Sequence, residues 1–250
     1  MNAIKRNIPN IITLANLFCG LCAILFVFEG YLSLAAILIF CSICFDFLDG
    51  LIAQLMNISS EFGKQLDSLA DIVSFGVAPG LMLFQLIYFK TTNKFFQSEI
   101  SDSSIFPAII ALLIPIFSAI RLANFNIDNK QTTSFIGLPT PVLAMFIAAI
   151  PLSIHSTIPH IAQHLNLLII FSDLKFLISI ALILPFLLVV KIPLFSLKIN
   201  EKERLASKLN IFRIILMLVS GILFFLFQFV AIPFIIILYL FLSILNNLLK

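Results

Sequence analysis

The chain has 250 residues, of which 61% are hydrophobic and only 11% charged, far from the roughly 45–50% apolar and about 25% charged of a soluble globular domain. These values argue against a water-soluble fold. A net charge of +3 gives no reason to expect a nucleic-acid partner.

Apolar runs of about 20 residues recur along the chain, each long enough to cross a hydrocarbon core of about 30 Å as a helix. Eight spans are expected, near 11–29, 31–56, 71–90, 105–126, 138–158, 173–193, 211–229 and 232–248. Pro233 marks either a turn or a kink between the last two. The first span runs into the second without an A-x-A-like cleavage site, so no removable signal is expected. No second domain, repeat, linker or low-complexity tail interrupts this pattern. The expected fold is all-α, a polytopic transmembrane helical bundle forming one domain over 1–250.

With the N-terminus in the cytoplasm, Lys5, Arg6, Lys64, Arg121, Lys130, Lys191, Lys198, Lys202, Arg204, Lys208, Arg213 and Lys250 fall on or near that side. Of the fifteen Lys and Arg residues, only Lys90, Lys94 and Lys175 fall outside. The positive-inside rule then places both termini in the cytoplasm, with the basic loop 191–208 against anionic headgroups.

Cys19-x2-Cys22 and Cys41-x2-Cys44 copy the letters of a four-cysteine zinc site. Their context does not fit one. All four fall inside apolar helices, where a cysteine behaves as a small hydrophobe.

The acids are distributed differently. Of twelve Asp and Glu residues, Asp46, Asp49, Asp67 and Asp71 fall within 26 positions, at the ends of two expected membrane helices. A carboxylate at membrane depth costs a few kcal/mol or more unless it is paired, solvated or bound to a cation. Asp46 and Asp49 are three apart and Asp67 and Asp71 four apart, so each pair projects from one helical face. The segment Met56–Leu66, with Asn57, Ser59, Ser60 and Gly63, reads as the turn that brings the two faces together. Such an all-oxygen nest repels itself unless hard divalent cations fill it, which favours Mg²⁺ or Mn²⁺, with Ca²⁺ a further candidate, over zinc. Gly50, Ala53 and Gly63 lie beside the acids, where their lack of bulk admits either a close helix or a ligand.

Asp46-x2-Asp49-Gly50-x2-Ala53-Gln54-x8-Gly63-x3-Asp67-x3-Asp71 resembles the signature of the CDP-alcohol phosphatidyltransferases, D-x2-D-G-x2-A-R-x8-G-x3-D-x3-D. Every spacing agrees, as do seven of the eight defined residues; Gln54 stands where the family has Arg. Within the family, 66–79 (LDSLADIVSFGVAP) looks like the serine-using branch. So do Arg121-Leu-Ala-Asn124-Phe-Asn126, Phe135-Ile-Gly137-Leu-Pro139-Thr140-Pro141, and Ile8-Pro9-Asn10 with Thr13, Asn16 and Cys19-Gly20. Asn124 stands where that branch carries a second Arg.

The resemblance implies a dinuclear metal centre on Asp46, Asp49, Asp67 and Asp71, with Asp71 also the catalytic base. It implies transfer of the phosphatidyl group of CDP-diacylglycerol to L-serine, giving phosphatidylserine and CMP. Asn10, Thr13, Gly50, Ala53, Gln54 and Gly63 are then candidates for holding the CDP-lipid, and Arg121 for the serine carboxylate or a phosphate. The expected setting is a bacterial-type cytoplasmic membrane with the site on the cytoplasmic side; a homodimer is compatible with it. His155, His160 and His164 fall on the far side from the acids.

Two other readings compete. A related transferase using glycerol 3-phosphate or inositol phosphate would require more basic residues near the acids than Lys64, Arg121 and Lys130. A cation- or proton-coupled transporter would place acids near the bilayer midplane, with inverted repeats; here the acids cluster at one end and no repeat is found.

Overall fold

The protein is described by a computed structural model over residues 7–58, 60–96, 105–127, 135–155, 167–195 and 208–248. Lys5, Arg6, Ser59, Lys130, His160, His164, Lys198, Lys202, Arg204 and Lys250 lie outside these residues.

Pro9 stands in the first turn of α1 (Ile8–Phe28), where its missing N–H removes no helical bond and its fixed φ suits a helix start. The helix closes in a Schellman turn at Gly30, φ +80°: Gly30 N–H donates to the Val27 carbonyl (3.2 Å) and Tyr31 N–H to Phe26 (2.9 Å). α2 (Leu32–Leu55) ends in the same way at Asn57, φ +52°, with Asn57 N–H on Gln54 and Ile58 N–H on Ala53. Ser60 then caps α3 (Glu61–Asp71), its Oγ accepting from Gly63 N–H at 3.0 Å. The turn is therefore Met56–Ser60, shorter than the 56–66 expected, because the cap at Ser60 starts the helix at once. Asp67 and Asp71 share α3 one turn apart.

α3 does not stop at Asp71. A π-helical turn, Ile72–Val77, leads into α4 (Ala78–Thr92), and the rod Glu61–Thr92 is 32 residues long, starting ten residues before the expected 71–90 span. This rod is the axis of the bundle: 67% of its most apolar stretch is buried, against 28% for α1. Phe75, Met82, Leu83 and Ile87 are fully enclosed along it.

Around the rod stand α1 and α2, packed on each other, and α5 (Ile105–Ile109), which leads through the 3-10 turn Ile110–Leu112 into α6 (Leu113–Ile127). α7 (Thr140–His155) packs on α2. After α8 (Leu167–Ser172), α9 (Leu174–Val189) packs on α6. A two-residue antiparallel ladder, Phe135–Ile136 with Pro193–Leu194, ties the approach to α7 to the exit of α9. α10 (Lys208–Phe227) and α11 (Ala231–Leu248) form a hairpin. Gln228 at φ +50° breaks the helix, and Leu216 packs with Leu242 across the pair, so the chain turns just before Pro233.

Among the described residues, five stretches are long and apolar enough to cross a membrane by length and composition, with α7 and α9 shorter apolar helices beside them. Large side chains such as Phe18, Leu25, Phe47 and Phe225 point outward. A surface of that kind is stable against lipid and unstable in water. This is the helical bundle of an integral membrane protein.

Candidate functional site

The start of α1, the end of α2 and the start of α3 meet at one end of the bundle, because two short reversals turn the chain between successive helices and α1 packs on both of the others. One carboxylate oxygen each from Asp46, Asp49 and Asp67 lie within 4.8 Å of one another. Charges so close in a poorly solvated site repel strongly. Asp67 Oδ1 is also buried without a hydrogen-bond partner, a second deficit that a cation would relieve. The three acids could therefore hold a metal ion, and their all-oxygen donor set suits a hard divalent cation.

Asp71 stands beside this trio, 8% exposed, near enough to Asp46 and Asp67 for their charges to interact. Its Oδ1 accepts from Asn16 Nδ2 at 3.2 Å. Thr13, one turn earlier on α1, donates its hydroxyl to Asp49 Oδ2 at 2.7 Å. α1 thus supplies one donor to each acid-bearing helix.

The Asn16 carbonyl on α1 bridges the acid-bearing segments, accepting from Ser42 Oγ on α2 (3.0 Å) and from Ser74 Oγ in the π turn that follows α3 (3.1 Å). Ser42 lies one turn before Asp46 and Ser74 about one turn after Asp71, so one peptide group sets the position of both. Gly20 permits this approach, since a Cβ there would overlap the side chain and Cα of Ser74.

A cavity of about 350 Å³ opens beside the acids, lined in part by Asn10, Thr13, Asp49, Gly50, Ala53, Gly63, Lys64 and Asp67. Five of the six residues expected at a CDP-lipid site line it. A Cβ added at Gly50 would meet nothing within 4 Å, so Gly50 faces open space, as a ligand wall does and a helix contact does not. Gln54 is exposed on α2 and is not among the lining residues.

Arg121 approaches the acids from α6. Its Nη1 donates to Thr140 Oγ1 at 3.2 Å, its Nε is buried without a partner, and Asp71 is near enough to interact with its charge. The end of α6 is fastened to α3: Lys64 Nζ donates to the Asn126 carbonyl (3.0 Å), and Asn126 Nδ2 to Ser68 Oγ (2.9 Å).

The structure thus brings together the four Asp residues, Asn10, Thr13, Gly50, Ala53 and Gly63, with Arg121 at the edge. Sequence reading assigned no site role to Asn16, Ser42, Ser74 or Thr140. For Asn16 a signal existed: Asn10, Thr13 and Asn16 recur every three residues along an otherwise apolar helix. Cys19, Cys22, Cys41 and Cys44 are free thiols.

Known proteins resemble this chain over the same region. Residues 6–183 match the CDP-alcohol phosphatidyltransferase family. A CDP-diacylglycerol-serine O-phosphatidyltransferase from Helicobacter pylori is 38% identical over 141 residues, 56% of this chain and 54% of the relative, so the alignment spans about half that relative's length. Proteins of the same name from Bacillus subtilis (35% over 138 residues, 55% and 71%) and Methanocaldococcus jannaschii (36% over 170 residues, 68% and 73%) also match. With the acid signature assembled on two adjoining helices inside the matched region, this chain belongs to the CDP-alcohol phosphatidyltransferase family.

Proposed function

We propose that the chain transfers the phosphatidyl group of CDP-diacylglycerol directly to L-serine, releasing CMP. The observation that carries the reading is the meeting of three carboxylates with a fourth, separately hydrogen-bonded carboxylate beside a cavity that Lys64 overlooks. Relatives named as serine transferases support serine as the acceptor.

Asp46, Asp49 and Asp67, with Asp71 at their edge, would hold Mg²⁺ or Mn²⁺ as a dinuclear centre. Cations held there supply charge neutralisation of the diphosphate and of the departing CMP. Asn10, Thr13, Gly63 and the open backbone at Gly50 form the wall for the CDP moiety, with Lys64 adding positive charge. Asp71 takes the proton of the serine hydroxyl as its oxygen forms a bond to the β-phosphorus, the lipid-bearing one, and the bond from that phosphorus to the CMP oxygen breaks. Arg121, whose Nε has no partner, receives the serine carboxylate. All these side chains come from one chain, so the reading asks for no second copy.

We place the site on the cytoplasmic side of a bacterial-type cytoplasmic membrane. Lys64 and Arg121 lie at the acid end of the bundle, while Lys90 and Lys94 lie at or just beyond the opposite end of the axial rod. The test is transfer by purified protein with CDP-diacylglycerol, Mn²⁺ or Mg²⁺, and labelled serine, glycerol 3-phosphate or inositol phosphate. Product from serine alone is expected; product from a phosphorylated acceptor alone would replace this reading with the related transferase.

A further inference from the structure

Asn16 is fully enclosed, yet only part of its side chain is used. Nδ2 donates to Asp71 Oδ1 at 3.2 Å, whereas Oδ1 of the same amide is buried with no partner. The amide cannot profitably turn over, because the flipped form would set a carbonyl oxygen against a carboxylate. Nor can it withdraw easily, since its own backbone carbonyl is held by Ser42 and Ser74. A buried acceptor left open costs free energy, and such groups are normally met by water, an ion or a ligand.

The orphan oxygen is on the same planar amide as the donor to Asp71, so it sits beside the carboxyl that takes the acceptor's proton. In serine the hydroxyl and the ammonium are on adjacent carbons, about one hydrogen-bond length apart. A serine whose hydroxyl reaches Asp71 therefore carries its ammonium into range of Asn16. An ammonium has only donors and needs acceptors, and a charged donor on a buried amide oxygen makes one of the stronger bonds. Arg121, near enough to Asp71 for their charges to interact, has a buried Nε without a partner to offer the carboxylate.

We infer that Asn16 is a substrate-recognition residue whose Oδ1 binds the ammonium of an amino-alcohol acceptor while its Nδ2 holds Asp71 in place. The inference rests on the proposed transfer to serine. Hydroxyl on Asp71, ammonium on Asn16 and carboxylate on Arg121 make three points of attachment, so the site also distinguishes L- from D-serine. An acceptor with no ammonium leaves the Asn16 oxygen open and is rejected for that reason.

The experiment compares L-serine with 3-hydroxypropionate, which lacks only the ammonium, in the full-length enzyme and in Asn16→Leu. Loss of the bond to Asp71 lowers kcat/KM for both acceptors. Loss of the ammonium contact lowers it further for serine alone, so the serine preference should shrink about tenfold or more. An equal fall for both acceptors, with the preference unchanged, overturns the ammonium assignment and leaves Asn16 as a positioning residue for Asp71. Should Asn16→Leu not fold, Asn16→Ser decides by the same ratio, with Mn²⁺ binding as the check on an intact site. No transfer to serine by the unsubstituted enzyme overturns the proposed reaction and this inference with it, whereas good transfer with an unchanged ratio overturns the inference alone.

Discussion

The Thr13 hydroxyl lies 2.7 Å from Asp49 Oδ2, joining α1 to α2 across 36 positions of sequence. It fixes one oxygen of a carboxylate in the three-acid cluster. A hydrogen bond to a charged group contributes about 1.5–3 kcal/mol, so Thr13→Val should raise the metal concentration for half-maximal activity by about tenfold or more. Thr13→Ser, which keeps the hydroxyl, should lie close to the unsubstituted protein. Metal titration of all three checks this, and an unchanged midpoint in Thr13→Val would show that the bond does not orient the acid.

Removal of divalent cations should abolish turnover, because three carboxylate oxygens within 4.8 Å of one another and a partnerless Asp67 Oδ1 leave the site repulsive without them. Protein treated with chelator and then dialysed should recover activity on adding Mn²⁺ or Mg²⁺. Full turnover in the chelated protein would rule the metal centre out.

Asp46 and Asp71 should respond differently to substitution. Asp46→Asn weakens cation binding, and part of its activity should return at high metal concentration. Asp71→Asn also removes the proton acceptor, a loss of typically 10²–10⁴-fold that extra metal does not restore. The decisive measurement is kcat at saturating Mn²⁺; substantial turnover by Asp71→Asn there removes it as the base.

Gln54→Arg tests a departure from the family signature. The side chain is exposed and outside the cavity wall, so the substitution should change kcat/KM for CDP-diacylglycerol by less than about threefold, as surface changes usually do. A marked fall in KM would mean that a side chain at this position reaches the diphosphate.

Gly20→Val should be severe, because its side chain would drive α1 away from Ser74 and with it the carbonyl that positions both acid helices. Expected are a lower unfolding temperature in detergent and loss of activity together. Gly50→Ala, where a Cβ meets nothing within 4 Å, should leave the unfolding temperature unchanged and act on CDP-lipid KM alone.

Much of the molecule was legible in its sequence, for reasons that are local. Membrane helices announce themselves through length and hydropathy because lipid forces each span to satisfy its own backbone. The four acids stood out because an unpaired carboxylate is so costly there. Their grouping followed from helical spacing at 46/49 and 67/71, and Asn10, Thr13, Gly50, Ala53 and Gly63 from their place in or beside the resembling motifs. What remained hidden depended on which helices touch. The start of α3 turned on a single cap, Ser60 on Gly63, and the π turn after Asp71 has no hydrophobic period of its own to betray it. Asn16 on Asp71, Ser42 and Ser74 on one carbonyl, and Arg121 on Thr140 join residues that are 19 to 58 positions apart. The exclusion of Gln54 from the cavity wall was hidden for the same reason. Spacing places a residue on a face of its own helix; only tertiary packing decides what that face meets.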